Sequence, residues 1–497
     1  MTSEISSFLN DLAEDTQPIP QVYSKKTLSN KTINKILKYQ KNHILRLIRI
    51  LVQKSIALDG SDTGVGKTYI AIAICVEMGR RPIIVCPKTL IYNWISVCEF
   101  FGVKPYDVVN YETIRNGKSY ADSNFTSRVT SPFISVNEHD PENKTQDMFE
   151  WSLPDDAMLI FDEAHRCKST NTDNGKLLIS TKQAIYQKIP VLLASATISQ
   201  KATDMRVPFY LFDIIPSVRR FNAYVKTLEA KHPQYRVHKY KYDSKEKYKN
   251  AKERAISIII NAEIKDHTSR IRIKDIGEKF PQNQLSAQQF TADSAEVISD
   301  AYSEIQVLMD ELKQKGERHT HHLARIQKLK QMIELRKIPI FLEQAQLHLD
   351  NGKSVIIFVN FLDTLHLLAS KLHINCQIYG DQTLKERTEA IRLFQSNQER
   401  IIICQIRAGG VGINLNDTDG NYPRAVLVNY PDSGSDLLQA LGRAVRAGTK
   451  SPVLQRIIFV ANVEYEKTVM QNINRKLENI SATNDGVLDG YKYKIKK

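Results

Sequence analysis

The stretch Ser55-Ile56-Ala57-Leu58-Asp59-Gly60-Ser61-Asp62-Thr63-Gly64-Val65-Gly66-Lys67-Thr68 has the residue types and order to hold the phosphates of a nucleotide. A short apolar run enters a glycine-containing loop that ends in Lys67-Thr68, and a second apolar run, residues 69–75, follows at helical length. Strand, loop and helix in that order make a phosphate cradle. Glycines let the backbone curl so that successive N–H groups face the phosphates, and the helix N-terminus adds partial positive charge. Asp62, Thr63, Gly64, Val65, Gly66, Lys67 and Thr68 are therefore the expected nucleotide-binding residues. Lys67 would reach the β- and γ-phosphates, and Thr68 would offer its hydroxyl to Mg2+. The strict pattern has glycine where this chain has Ser61.

Asp162-Glu163-Ala164-His165 directly follows the apolar run at 157–161. One carboxylate there can hold Mg2+ opposite the loop threonine, and its neighbour can orient or deprotonate a water. Metal positioning falls to Asp162 and water activation to Glu163. Ser195-Ala196-Thr197, just past the run at 191–194, offers hydroxyls that would couple the nucleotide site to a nucleic-acid track, with a plain helix cap as the competing reading. Further on, Arg443 and Arg446 lie three apart and would share one helix face. Arginines brought from a second domain can stabilise charge on a transferring phosphoryl group, which couples hydrolysis to domain closure. Gln439 can sense the nucleotide from the same helix. Gly409, Gly410 and Gly412, beside Arg407 and Asn414, permit close backbone approach to phosphates.

These residues must be positioned by alternating elements. Apolar runs at 56–58, 83–86, 157–161 and 191–194 alternate with helical text, which implies a parallel sheet whose ligands sit beyond the strands' carboxyl ends. Residues 116–156 are rich in Asn, Ser, Thr and Asp and read as a long surface insertion. Residues 217–340 are charged and helical with few strand signals. Alternation resumes at 355–358, 377–379, 401–404, 425–428 and 457–460, a second α/β lobe.

The 497 residues suffice for two to four domains, and 42% hydrophobic with 25% charged residues is ordinary globular composition. No apolar run approaches a membrane span, and the first residues lack a basic and then apolar leader, so the expectation is a soluble, intracellular protein. Six scattered cysteines with no C-x-x-C pair read as buried thiols. The formal charge of +14 is uneven, with 17 Lys or Arg against 8 Asp or Glu in residues 217–280. A polyanion is the natural partner for such a stretch. Trp94 reads as core, and the tyrosine-rich basic run at 235–248 could stack on bases. His319, His321 and His322 lack the companions of a metal site and read as an exposed helix.

Asp62–Thr68, Asp162–His165 and Ser195–Thr197 resemble motifs I, II and III of helicase superfamily two. The segment from Arg407 to Leu415 is similar to motif V, and that from Gln439 to Gly448 to motif VI. Tyr39 and Gln40 stand where the family's adenine-reading glutamine is expected. The form of motif V, with Ala408-Gly409-Gly410-Val411-Gly412-Ile413-Asn414-Leu415, resembles the Swi/Snf-type DNA-dependent ATPases. Ser195-Ala196-Thr197-Ile198 departs from those enzymes, as does Gly448-Thr449.

The resemblance implies an α/β fold of two RecA-like lobes with parallel sheets, a P-loop NTPase carrying a basic helical insertion. The expected boundaries are a tail at 1–30, lobe one at 31–216, the insertion at 217–340, lobe two at 341–480 and a basic tail at 481–497. The expected activity is ATP hydrolysis that drives translocation on duplex DNA held through its phosphates, with ATP and Mg2+ as cofactors. An RNA helicase is the alternative, and a catalytically inactive nucleic-acid-binding protein of the same fold is the second.

Overall fold

The computed structural model describes residues 27–62, 64–122, 125–137, 148–196, 202–241, 244–272, 276, 283–315, 320–409, 413–446, 448–472 and 494–496. In lobe one, strands β1 (Ile56–Asp59), β2 (Arg81–Cys86), β3 (Asp107–Asn110), β4 (Ala157–Asp162), β5 (Val191–Ala194) and β6 (Thr268–Ser269) form a single sheet. The order is β6-β1-β5-β4-β2-β3, every pair parallel. Every residue of β1, β4 and β5 is buried, as continuous apolar runs require when helices cover both faces. Helix α1 (Gln40–Lys54) packs on α2 (Lys67–Met78), which in turn packs on α3 (Ile91–Phe101). α2 is apolar almost all round, with residues 70–75 all buried, so it can exist only between layers.

Lobe two repeats the scheme. Strands β7 (Asn283–Phe290), β8 (Ser354–Val359), β9 (Gln377–Ile378), β10 (Ile401–Gln405), β11 (Arg424–Val428), β12 (Val453–Val460) and β13 (Lys494–Lys496) lie in the order β9-β10-β8-β11-β12-β7-β13. These pairings too are all parallel. The chain between β7 and β8 forms α6 (Ala295–Lys315), α7 (Thr320–Arg336) and α8 (Ile338–Asp350), while α9 (Leu362–Leu372) follows β8 and α10 (Leu384–Gln395) follows β9, with α11 (Gly434–Leu441) after β11. Ile298, Tyr302, Ile305, Leu329, Ile333 and Phe341 pack α6, α7 and α8 onto the sheet core. An ion pair is sealed beneath them: Lys337 Nζ and Glu466 Oε1 are 2.5 Å apart, both side chains fully buried. Tyr302 Oη (3.1 Å) and the Val460 N–H (2.5 Å) donate to the same carboxylate. Such a pair is tolerated inside a fold only when its remaining hydrogen-bonding capacity is met in this way.

Two expectations need correction. Residues 217–340 are not one helical segment set apart from the lobes. After α4 (Phe221–Lys231) and α5 (Lys245–Ile264), β6 pairs with β1 in lobe one, and β7 then pairs with β12 in lobe two. Asn-Gln-Leu-Ser-Ala-Gln-Gln-Phe is too polar, and Thr268-Ser269 too short, to signal a strand alone; both are recruited by partners distant in sequence. Within 116–156, the short antiparallel pairs Lys118–Tyr120 with Arg128–Thr130 and Ile134–Val136 with Phe149–Trp151 bring Phe149 and Trp151 into the core. No helix among the described residues is long and apolar enough to cross a membrane. All six cysteines are buried free thiols.

Candidate active site

The register of lobe one sets the site. Asp59 and Asp162 both pair with Ala194, so β1, β4 and β5 end at one level and deliver their following residues to one edge. That edge carries the phosphate loop, the Asp-Glu pair and Ser195.

The loop is held from below. Ser61, fully buried, accepts from Ile271 N (2.9 Å), lies 3.3 Å from His43 Nε2, and donates its own N–H to Asp59 Oδ1 (3.0 Å). His43 in turn contacts Ser269 Oγ at 2.8 Å through Nδ1 and Asp59 Oδ1 at 3.1 Å through Nε2. The serine that departs from the glycine pattern thus clamps the loop to the chain that follows β6. Burial alone would raise the Asp59 carboxyl, but His43, Lys67 and the Ser61 hydrogen bond hold it below its ordinary value. Arg270 reaches Asp62 at 2.6 Å.

Above this base the loop turns through Gly64 and Gly66 at φ +84° and +90°, a region closed to most side chains. A Cβ on Gly66 would lie 2.6 Å from Gln40 Nε2, and one on Gly64 only 2.9 Å from Arg446 Cγ and Val445 O. Gln40 is buried, donates to Val65 O (2.8 Å) and accepts from Leu37 N (2.8 Å), and Tyr39 Oη also donates to Val65 O (3.2 Å). Both therefore brace the loop from lobe one. Lys67 Nζ folds across it onto Ser61 O (2.9 Å) and Asp62 O (3.1 Å).

Asp162 and Glu163 are each 7% exposed. Trp94 Nε1 donates to Asp162 Oδ2 (2.9 Å) and the Glu163 N–H to Oδ1 (2.9 Å). Burial, with the Glu163 carboxylate beside it, pushes Asp162 up to about 7 against the Trp94 hydrogen bond and Lys67. Such a carboxylate is a hard oxygen donor of the kind Mg2+ prefers, and Thr68, in the first turn of α2, carries a hydroxyl. Among the described residues no cluster of three or more His, Cys, Asp or Glu forms an all-protein metal cage. Glu163 stands at φ +55°, a backbone conformation rare for a non-glycine residue.

His165 links three motifs. Its Nδ1 lies 3.0 Å from Ser195 Oγ and 3.3 Å from Glu163 Oε2. Gln439, from α11 (Gly434–Leu441) in lobe two, donates through Nε2 to His165 Nε2 (3.3 Å) and Glu163 Oε2 (3.4 Å). Accepting at Nε2, the ring carries its proton on Nδ1; burial lowers its pKa and favours this neutral form, with Glu163 opposing. Motifs II, III and VI thus form one hydrogen-bonded chain across the cleft.

The two arginines are placed differently from the expectation of a shared helix face. α11 ends at Leu441, and Arg443 and Arg446 follow in the turn beyond it, so their approach comes from the loop. Arg443 is 4% exposed and donates to Ile413 O at 3.5 Å. Burial lowers its pKa, opposed by Glu163 and Asp162 across the cleft. Arg446 donates through Nε to Gly442 O (3.3 Å) and through a terminal nitrogen to the Asn414 side chain.

Most predicted residues therefore converge on one cleft: Tyr39, Gln40, Asp62, Gly64, Val65, Gly66, Lys67, Asp162, Glu163, Ser195, Gln439, Arg443 and Arg446. Thr68 lies in the first turn of α2, directly after Lys67, and Ala196 follows Ser195. Arg407 is exposed on the short helix Ile406–Gly409, and Asn414 serves Arg446. Thr63, Thr197, Gly410 and Gly412 lie outside the described residues, as does His319. His322 pairs with Glu311 at 2.9 Å between α7 and α6. Sequence reasoning gave no role to His165, His43 or Arg270. It placed Trp94 in the core, where it is, but not its hydrogen bond to Asp162. The adjacency of His165 to Asp162-Glu163 was an available signal, whereas His43 and Arg270 had none.

The architecture and this cleft define a two-lobed P-loop ATPase. Residues 33–200 match the family model described as "Type III restriction enzyme, res subunit", and residues 327–448 match "Helicase conserved C-terminal domain". The chain belongs to helicase superfamily two, as an ATP-dependent enzyme of the helicase family. It is 58% identical over 490 residues to an Acanthamoeba polyphaga mimivirus protein named "Putative ATP-dependent RNA helicase", covering 99% of this chain and 91% of that one. Among solved structures, S. cerevisiae Dbp5 bound to RNA and ADP BeF3 is 12% identical with TM-score 0.45, over 91% of this chain and 92% of that one. The Sulfolobus solfataricus SWI2/SNF2 ATPase core in complex with dsDNA is 18% identical with TM-score 0.32, over 90% and 93%.

Proposed function

We propose that this chain is a nucleic-acid motor in which ATP hydrolysis is licensed by lobe closure. The observation that carries the reading is Gln439 of lobe two donating to both Glu163 and His165 of lobe one. A displacement of lobe two withdraws Gln439 from the water-activating carboxylate and Arg443 from its vicinity together.

In this reading Lys67 exchanges its two carbonyl partners for phosphate oxygens, and the backbone N–H groups of residues 64–68 orient the phosphates. Thr68 and Asp162 would hold Mg2+, which neutralises phosphate charge when bound. Glu163 takes the proton of the attacking water, with Gln439 and neutral His165 fixing its carboxylate. Arg443 and Arg446 stabilise charge on the transferring group. The chain from His165 to Ser195 transmits the change to motif III and on to the polymer. We assign RNA as the polymer, supported by the name of the 58% identical mimiviral relative and by the Ser195-Ala196-Thr197 form. Duplex DNA is the second reading, favoured by the form of motif V.

The test is steady-state ATP hydrolysis by wild type and Glu163→Gln with no polymer, single-stranded RNA, duplex RNA, single-stranded DNA or duplex DNA, at two salt concentrations. Stimulation by RNA that salt weakens and the variant abolishes is the expected result. Preferential stimulation by duplex DNA selects the second reading. Equal turnover with and without every polymer overturns the motor.

A further inference from the structure

Lobe one carries a feature that the ATP cleft does not use. α4 and α5 form a hairpin whose base packs on the turn Ala202–Met205 shortly after motif III, with Phe209 5.3 Å from Phe221 and Tyr224 Oη donating to Glu263 Oε2 at 2.8 Å. Between the end of α4, the loop after it and the stretch of α5 from Tyr248 to Ile259 lies an open cavity of about 430 Å³, within the ~300–1,000 Å³ range of small-ligand sites. Tyr235, Tyr248, His232, Arg236, Lys252 and Glu229 are among its lining residues. Its lining carboxylate, Glu229, is paired with Lys252 at 3.2 Å. Arg236 is exposed at the rim, and Tyr240, 80% exposed, stands between Lys239 and Lys241. Residues 217–253 hold eleven Lys or Arg against four Asp or Glu.

We propose that this cavity is a second nucleotide site, binding one base with its phosphate from a single strand that extends beyond the motor track. Rings that can stack on a base, set among cations that can meet phosphate, are the combination that holds single strands without reading sequence. A docked acidic peptide would satisfy the cations but make no use of the flat faces of the tyrosine rings. The proposal rests on the motor reading only for its biological use, since strand binding is measurable without ATP. Standing on the turn after motif III, the hairpin would tether the strand to the part of lobe one that senses the nucleotide.

The experiment uses the full chain and fluorescence anisotropy with labelled oligo(U) strands of about 10 and about 30 nucleotides, without ATP, across a salt series. Arg236→Glu removes the rim cation at an exposed position, and Tyr248→Leu removes a ring while keeping bulk; thermal unfolding reports that each variant folds. Both variants should lose about tenfold in affinity for the long strand and little for the short one, and Arg236→Glu should reduce the salt slope by about one. AMP is the free-nucleotide arm. Competition by AMP against the long strand in wild type but not in the variants supports one nucleotide unit as the ligand. AMP binding lost in the variants with strand binding intact assigns the same chemistry to free nucleotide instead. Variants that bind both strands and AMP like wild type overturn the proposal. Polymer stimulation of ATP turnover in wild type is scored separately, so a failed motor and a failed pocket are told apart.

Discussion

The two halves of the cleft are built on different principles. Lobe one fixes its loop with contacts remote in sequence: His43 to Ser269, Ser61 to Ile271 and Asp62 to Arg270 tie α1, β1 and the chain around β6 into one block. Lobe two holds Arg446 through Gly442 O, Asn414 and the Thr449 hydroxyl, which accepts from the Arg446 N–H at 3.1 Å. Apart from Asn414 these are neighbours within four residues. One half fixes its loop through contacts remote in sequence, and the other holds Arg446 mainly within its own turn. A motor needs that asymmetry, because phosphate binding must persist while the stabilising cations come and go.

The largest expected effect breaks the mobile half. Arg443→Ala should lower ATP turnover by about 10³-fold or more while ATP binding persists, measured by single-turnover kinetics beside equilibrium nucleotide binding. A loss under tenfold would mean that lobe two is a spectator. Next, Glu163→Gln in the fixed half should lower turnover by about 10²–10⁴-fold with an unchanged thermal midpoint.

The third separates fold from chemistry. Lys337→Met leaves Glu466 buried without its cation and should destabilise lobe two by about 3–5 kcal/mol in urea unfolding. Adding Glu466→Leu should recover much of that loss. Were the single variant as stable as wild type, the pair would not be the strut of the helical layer.

Acid should weaken both lobes by the same device. Burial holds His267 in lobe one and His348 in lobe two down to about 4. The unfolded chain, with histidine near its ordinary 6.5, binds more protons between those values. The stability from each is therefore fully present above about pH 6.5 and lost as pH falls towards 4. His348→Leu should flatten that limb in pH-dependent unfolding, and an unaltered profile would remove His348 from it.

The smallest effect concerns the seat itself. Ser61→Gly restores the strict loop pattern yet orphans the Ile271 N–H, at a cost of about 1–3 kcal/mol, and should raise the KM for ATP a few-fold. A variant with better stability and unchanged KM would show that the clamp is dispensable.

Much of the site was legible because its chemistry depends on short segments. A phosphate loop needs its glycines, lysine and hydroxyl in one order, and an Asp-Glu pair after a buried strand carries its meaning in adjacent residues. The sequence singled out Gln439, but not its partners, since Glu163 and His165 lie more than 270 positions away in the chain. The helical reading of Arg443 and Arg446 failed because the 3.6-residue period says nothing about where a helix stops, and α11 stops at Leu441. β6 and β7 were missed because a strand of two residues, or of mostly polar ones, is defined by its partner.

By itself the sequence determined the two α/β lobes and singled out the residues proposed here for phosphate, metal and water, because period and motif are local properties. Only the tertiary structure decided that β1, β4 and β5 end at one level, that Ser61 is a clamp, and that Gly64 packs against Val445 and Arg446. Those depend on register and on contact between distant segments, which are fixed by packing and hydrogen bonding and have no signature in neighbouring residues.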